Sequence, residues 1–112
     1  MVLHHHYTHA LPHTGVYEGA SVNGQPHGFG RKTYDNGDQY EGDWQNGMRH
    51  GRGRQAYADG LVFDGDWISD KREGRGGLTW PGGKKYDGGY KQDKKDGRGV
   101  YTWPDGKRYD GE

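Results

Sequence analysis

Residues 40–53 read YEGDWQNGMRHGRG. Glycines and charged residues stand close together here, and the aromatic residues Tyr40 and Trp44 are separated by three others. The short segment from Gly51 to Gly53 resembles a turn that could cradle a phosphate with its backbone amides. The remainder of the chain argues against this interpretation, because the same pattern occurs several times.

The pattern recurs every 23 residues without an insertion. An aromatic residue opens each copy and an acidic residue follows it, at Tyr17, Tyr40, Phe63, Tyr86 and Tyr109. Four complete units cover residues 17–39, 40–62, 63–85 and 86–108, and residues 109–112 begin a fifth. Glycine occupies positions 3, 12, 14 and 21 of all four complete units. An active site would not be repeated four times, so the period predicts a repeat protein.

The composition limits the size of any core. Only 28% of the 112 residues are hydrophobic, and 23 are glycine. The net charge is zero and 13% of the residues are aromatic, which argues against a disordered chain. There is no cysteine, and no apolar run is long enough to span a membrane. The sequence therefore predicts a cytoplasmic protein, with the cytoskeleton or a membrane surface as candidate locations.

The secondary structure predicted for each unit is a pair of strands. Positions 19–21 carry Asp-Asn-Gly, Ala-Asp-Gly, Pro-Gly-Gly or Pro-Asp-Gly, which favours a three-residue hairpin turn ending in a left-handed glycine. A longer loop is expected at positions 6–11. Alternating apolar and polar residues fit strands, and no segment has helical periodicity. We expect an all-β fold, an elongated single-layer antiparallel meander of successive hairpins.

The register follows if position 18 faces position 22 across the turn. Position 14 of one unit then pairs with position 3 of the next, and one continuous row of glycine runs across the sheet. Position 5 is expected to pair with position 12 inside each unit, so that Trp44, Trp67 and Tyr90 alternate with glycines. Aromatic rings can lie over neighbouring glycines, because no side chain blocks them. This packing would hold a sheet with few aliphatic residues.

The opposite face of the predicted sheet carries paired charges. Arg31 is expected between Glu18 and Glu41, and Arg54 between Glu41 and Asp64. Arg52 and Arg75 are expected beside Asp66, and Arg52 also beside Asp43. Such cross-strand pairs contribute about 0.2–1 kcal/mol each. The environments of these acids look alike in every unit, whereas acid–base catalysis requires two carboxyl groups with different pKa values. We predict no enzyme, no cofactor and no small-molecule substrate.

YEGDWQNGMRHGRG and YDGGYKQDKKDGRG resemble the MORN repeat, and the resemblance covers residues 17–112. It implies an elongated, twisted sheet of hairpins that acts as a scaffold or targeting module. Some positions depart from the pattern. Ser21 stands where later units carry Trp44, Trp67 or Tyr90, so the first unit resembles a cap. Gly24 and Gly47 give way to Asp70 and Asp93, and His27 and His50 to Glu73 and Asp96.

The principal hypothesis for function is a scaffold or adaptor module that binds a partner protein. An aromatic- and glycine-lined face would accept a helix or an extended segment, since Trp and Tyr dominate binding hot spots. The predicted contact residues are Tyr40, Trp44, Tyr57, Phe63, Trp67, Trp80, Tyr86, Tyr90 and Trp103.

The alternative is a membrane-targeting module that binds anionic phospholipid through basic loops. The candidate residues are Lys71, Arg72, Lys84, Lys85, Lys94, Lys95, Lys107 and Arg108. A basic residue near an anionic membrane contributes about 1 kcal/mol. Acidic neighbours bring the charge of these loops close to zero, which favours the protein partner. Nucleic acid is not expected, because the chain has no net positive charge.

Residues 1–16 are expected to form a flexible, histidine-rich tail. A divalent metal could bind weakly to its histidines, which are His4, His5, His6, His9 and His13. Such a tract is more often a mobile tail or a cloning remnant, and we predict no metal site. His27 and His50 are expected to shape loops.

Overall fold

A computed structural model describes residues 7–11 and 15–112 of the chain, which form one antiparallel sheet of ten strands in sequential order. The strands are β1 (Tyr7–Leu11), β2 (Gly15–Val22), β3 (Gln25–Thr33), β4 (Gln39–Gln45), β5 (Met48–Ala56), β6 (Val62–Ile68), β7 (Lys71–Thr79), β8 (Lys85–Lys91), β9 (Lys94–Thr102) and β10 (Arg108–Gly111). The molecule measures 49 × 25 × 19 Å. The predicted all-β meander is confirmed.

The turns between units have the predicted form. Tyr34 donates its backbone N–H to the carbonyl of Asp38, and Gly37 donates to the carbonyl of Tyr34. Gly37 adopts a φ of 98°, the left-handed conformation that favours glycine. The other three units repeat these hydrogen bonds. Position 18 therefore faces position 22, as the sequence predicts.

The turn inside each unit differs from the prediction. Only two residues form it, such as Asn46 and Gly47, and both have positive φ, at 51° and 81°. This is the conformation of a type I′ turn, whose twist suits a two-residue hairpin. Trp44 consequently pairs with Arg49, at position 10, and not with the glycine at position 12. The predicted loop over positions 6–11 is wrong because most of it is strand.

A bulge at position 12 accommodates the shorter turn. Between Gly42 and Trp44 the register shifts, so that β5 carries two more residues than β4. Gly51 lies in this bulge with a φ of 94°, which a side chain would strain. Across the boundary between units, Gly51 pairs with Trp67, as predicted.

The predicted row of glycine is confirmed. Gly30 pairs with Gly42, Gly42 with Gly53, and the row continues through Gly111. An added Cβ at Gly53 would lie 1.9 Å from the hydroxyl oxygen of Tyr40. The ring at position 1 therefore lies directly on the glycine of the neighbouring strand, and every copy of position 14 repeats this contact.

The charged face has the predicted register except at the bulge, where Asp43 has no paired residue in β5 and Arg52 does not pair with Asp43 as predicted. Arg31 lies between Glu18 and Glu41, and Arg54 pairs with Glu41 and Asp64 on its two sides. Arg52 reaches Asp64 at 3.7 Å and Asp66 at 4.0 Å, and the backbone N–H of Arg75 donates to Asp66. These side chains are about half exposed or more. Each pair therefore contributes little to stability.

The predicted flexible tail over residues 1–16 needs correction. Residues Tyr7–Leu11 form β1, which pairs with β2, and β2 begins at Gly15. β1 covers the edge of β2, so that the first repeat has a hydrogen-bonded neighbour on both sides. Residues 1–6 and 12–14 lie outside the described part of the chain. Within the described part, no helix is long and apolar enough to cross a membrane.

Adjacent glycines in β7 test the glycine row. A Cβ at Gly76 would lie 2.3 Å from the fully buried ring of Phe63, whereas one at Gly77 would meet nothing closer than 3.8 Å. We expect Gly76→Ala to lower the free energy of unfolding by about 3 kcal/mol. The melting temperature should fall by on the order of 10 °C. Gly77→Ala is the control, and it should leave stability equal or raise it by about 0.5 kcal/mol. Equal losses in thermal melts would refute the ring-on-glycine packing.

Candidate interaction surface

One face of the sheet carries a continuous series of aromatic rings, which we call the ring zigzag. Rings from position 1 alternate with rings from position 5, in the order Tyr17, Trp44, Tyr40, Trp67, Phe63, Tyr90 and Tyr86. Consecutive centroids are 5.0–5.8 Å apart and the planes cross at 83–88°. This edge-to-face geometry is favourable for aromatic pairs. Together with Leu78, the ring zigzag forms the hydrophobic core of the described residues.

Hydrogen bonds to the backbone fix most of these rings. The hydroxyl of Tyr40 donates to the carbonyl of Asp43 at 2.9 Å. The indole nitrogens of Trp44 and Trp67 donate to the carbonyls of Gly30 and Gly53, at 3.1 and 3.2 Å. Each tryptophan therefore joins its own unit to the preceding one.

Tyr90 is the exception within the ring zigzag. It occupies the repeat position of Trp44 and Trp67, but its buried hydroxyl has no hydrogen-bond partner among the described residues. Burial raises the pKa of this hydroxyl to about 12. The site accepts a tyrosine ring but leaves its polar atom unsatisfied.

The side chains of Arg49 and Arg72 lie over the ring zigzag, and we call them the arginine cover. The guanidinium carbon of Arg49 lies 4.3 Å from the ring centroid of Trp67, and that of Arg72 lies 5.2 Å from Tyr90. Both guanidinium groups also bind a carboxylate of the next unit. Arg49 donates to Asp70 at 3.0 Å, and Arg72 to Asp93 at 2.8 Å. Cation–π contacts and charge-assisted hydrogen bonds act together here.

The pKa of Asp93 reflects this contact. Burial alone would raise it, but hydrogen bonds from the backbone and side chain of Arg72 outweigh burial and hold the pKa below its usual value. The carboxylate thus binds more strongly when it is charged. Stability contributed by Asp93 is therefore present above about pH 4 and is lost as the pH falls through the lowered pKa.

The two predicted loop-shaping histidines lie at the same edge of the sheet. Nδ1 of His27 accepts a hydrogen bond from the backbone of Asn46, and Nδ1 of His50 accepts one from Ser69. Glu73 accepts the equivalent bond from Gln92. These side chains connect each two-residue turn to the preceding unit, which agrees with a loop-shaping role.

Beside the ring zigzag lies a second set of aromatic residues that is only half-buried. We call it the open aromatic row, and it consists of Tyr34, Tyr57, Trp80, Tyr101 and Trp103. Four of its members stand at position 18, next to the three-residue turns. Burial raises the pKa of Tyr34 and Tyr57. The row leaves aromatic surface in contact with solvent along one side of the sheet.

The nine predicted partner-binding residues divide between these two sets. Three lie in the open aromatic row and keep accessible surface: Tyr57, Trp80 and Trp103. The other six are at most 4% exposed and belong to the ring zigzag: Tyr40, Trp44, Phe63, Trp67, Tyr86 and Tyr90. These six therefore have almost no accessible surface for a partner. The contact residues predicted from the sequence did not include Tyr34 and Tyr101. Tyr34 could have been included, because it stands at position 18, as Tyr57, Trp80 and Trp103 do.

The predicted lipid-binding residues also divide, because neighbouring residues in a strand point to opposite faces. Lys84 and Arg72 are half-buried over aromatic rings, and Lys95 contacts the same face. The remaining residues are exposed: Lys71, Lys85, Lys94, Lys107 and Arg108.

No group of His, Asp or Glu in residues 15–112 has the arrangement of a metal site. His4, His5, His6 and His13 lie outside the described residues, as does the side chain of His9.

Comparison with known families agrees with this geometry. The family model for the MORN repeat matches four consecutive segments, at residues 17–39, 40–62, 63–85 and 86–108. No curated protein shows significant similarity to the chain. The resemblance noted in the sequence is confirmed.

Removal of the unsatisfied hydroxyl of Tyr90 should not destabilise the protein. We expect Tyr90→Phe to raise the free energy of unfolding by about 1 kcal/mol, because a buried polar group without a partner is costly. Tyr40→Phe is the matched control, and it should lower the free energy by about 1 kcal/mol because Asp43 loses its donor. Urea unfolding of the three proteins measures both values. A loss in Tyr90→Phe as large as in Tyr40→Phe would mean that the hydroxyl has a partner.

The contact between Arg72 and Asp93 should exceed an exposed ion pair in strength. We expect Asp93→Ala to cost about 1–2 kcal/mol at pH 7. Asp87→Ala, which removes the partner of Arg75 at 3.8 Å, should cost less than about 0.5 kcal/mol. Urea unfolding at pH 7 and pH 3 is the measurement, and the effect of Asp93→Ala should shrink at pH 3. Equal costs at pH 7 would show that the arginine cover adds nothing.

Proposed function

Because the chain belongs to the MORN-repeat family, we propose that it is a non-enzymatic scaffold module that binds a partner protein along the open aromatic row. MORN repeats commonly mediate interactions with proteins or membranes, and the family is a non-catalytic repeat module. We propose the cytoplasm as its place of action, next to the cytoskeleton or a membrane.

The observation that carries the proposal is the difference in exposure across the aromatic face. The ring zigzag is sealed by its own packing and by Arg49 and Arg72. The open aromatic row keeps part of each ring accessible, and Leu61 is likewise partly buried against the core. Half-exposed Tyr and Trp side chains provide large contact area at low entropy cost, and they recur in binding hot spots.

The spacing of the row suits a regular segment of a partner. Equivalent residues of successive units are two strands apart, a distance of about 9.6 Å. Two turns of an α-helix rise about 10.8 Å, and three residues of an extended chain span about 10 Å. A helix with apolar residues at every seventh position, or an extended segment with one at every third, would meet successive rings.

A membrane-binding function is the second candidate, and one observation favours it. Ile68 is 52% exposed and pairs across its hairpin with Lys71, while Lys91 and Lys94 stand at the equivalent positions of the next hairpin. An exposed apolar residue beside three lysines is a pattern that anionic bilayers attract.

Site-specific photo-crosslinking tests the principal proposal. A photoreactive phenylalanine analogue replaces Tyr57 in one protein and Arg54, on the charged face, in the control. We expect the Tyr57 position to crosslink a discrete protein from native lysate, identified by mass spectrometry, and the Arg54 position to yield none. The purified partner should then bind Trp80→Ala at least about tenfold more weakly than the original chain. A thermal melt of the variant shows whether it remains folded.

Crosslinks that arise only from Arg54, or full affinity in a folded Trp80→Ala protein, would refute the proposal. Flotation with phosphatidylserine vesicles tests the alternative. Membrane binding would be lost in a Lys71→Glu, Lys94→Glu double variant and at raised salt, and it would be retained in Trp80→Ala.

A further inference from the structure

Two lysines of the aromatic face stand over the same pair of rings. Nζ of Lys84 lies 4.7 Å from the ring centroid of Trp80 and 5.1 Å from that of Tyr101. Nζ of Lys95 lies 5.6 and 5.9 Å from the same two centroids. Trp80 and Trp103 both stack on Tyr101, at 6.4 and 6.0 Å. We call these five residues the lysine–aromatic cluster.

The positive charge of the cluster is not neutralised within residues 7–11 and 15–112. Neither Lys84 nor Lys95 has a carboxylate oxygen within 4.0 Å there. This differs from the rest of the aromatic face, since Arg49 and Arg72 hold the repeat position of Lys95 and each binds an aspartate. Asp96 lines a groove with Lys95 but forms no ion pair with it.

Two like charges over the same pair of rings repel each other, and the half-buried Lys84 has lost part of its hydration. A carboxylate placed between them would relieve the repulsion and would form charge-assisted hydrogen bonds. The exposed parts of Trp80 and Tyr101 offer an apolar surface beside this position. The cluster therefore combines a site for negative charge with a site for an apolar side chain.

We infer that the lysine–aromatic cluster binds an acidic segment of a partner protein, in which Asp or Glu side chains bind Lys84 and Lys95 and an adjacent apolar residue packs on Trp80 and Tyr101. The inference rests on the proposed function and specifies the chemistry of the partner. A protein segment fits better than a bilayer, because Lys84 is half-buried among rings while the exposed Lys71 and Lys94 lie on the opposite face.

The test uses two fluorescein-labelled peptides that differ only in charge, SGDEFEDLGS and SGNQFQNLGS. Fluorescence anisotropy should show binding of the acidic peptide and none of the amide peptide. In ¹H–¹⁵N spectra, the acidic peptide should shift the indole N–H signals of Trp80 and Trp103, while those of the buried Trp44 and Trp67 should stay in place.

The strands supply a matched pair of charge variants. The double variant Lys84→Gln, Lys95→Gln lacks two charges of the aromatic face. Its affinity for the acidic peptide should fall about tenfold or more. Lys85→Gln with Lys94→Gln removes the same two charges from the neighbouring residues, which point to the other face. Affinity should then change by no more than about twofold.

Equal binding of the two peptides, or equal loss in both double variants, would overturn the inference, since either result means that net charge alone acts. Binding of phosphatidylserine vesicles through Lys84 and Lys95, without binding of the acidic peptide, would overturn it in favour of a lipid. These outcomes do not alter the crosslinking from Tyr57. The proposed function therefore stands or fails separately.

Discussion

The contact between an aromatic ring and a glycine on the next strand is the constraint on which the rest of the structure depends. Tyr40 lies so close to Gly53 that even a methyl group would overlap its hydroxyl and ring carbons. Because the glycine row has no side chains, the rings lie down on the sheet and meet the next ring edge to face. A single layer thereby buries its core without a second sheet or a helix.

Much of the fold could be predicted because four copies of one pattern restrict the same register. The three-residue turn after Trp80 or Tyr57 fixes how the two strands beside it pair. Position 14 of one unit therefore pairs with position 3 of the next. The turn inside the unit was harder. Asn23-Gly24 and Asn46-Gly47 are typical type I′ turns, but the later units carry Ser-Asp and Gln-Asp there, which hides the signal. The bulge at Gly51 depends on a positive φ that composition does not reveal.

The candidate surface could be predicted only in part, for a physical reason. The sequence identified the aromatic residues but not which of them would be covered. Arg49 and Asp70 belong to different units, and so do Arg72 and Asp93. At the repeat position of Arg49 and Arg72, the first unit has Pro26. At the repeat position of Asp70 and Asp93, the second unit has Gly47. This joint substitution was the available signal. Repeat position decides burial, since Trp44 and Trp67 at position 5 are at most 4% exposed whereas Trp80 at position 18 keeps accessible surface.

The arginine cover also affects how the chain folds during synthesis. Every strand pairs with its neighbour in sequence, and Arg49 finds its carboxylate only 21 residues further on. Contacts of such short range favour rapid folding. At the usual rate of translation, Asp70 follows Arg49 out of the ribosome within about one to four seconds. During that interval the newest unit has an unpaired guanidinium above a half-formed layer of rings. The nascent end of the molecule is therefore its least protected part, and each new unit completes the one before it.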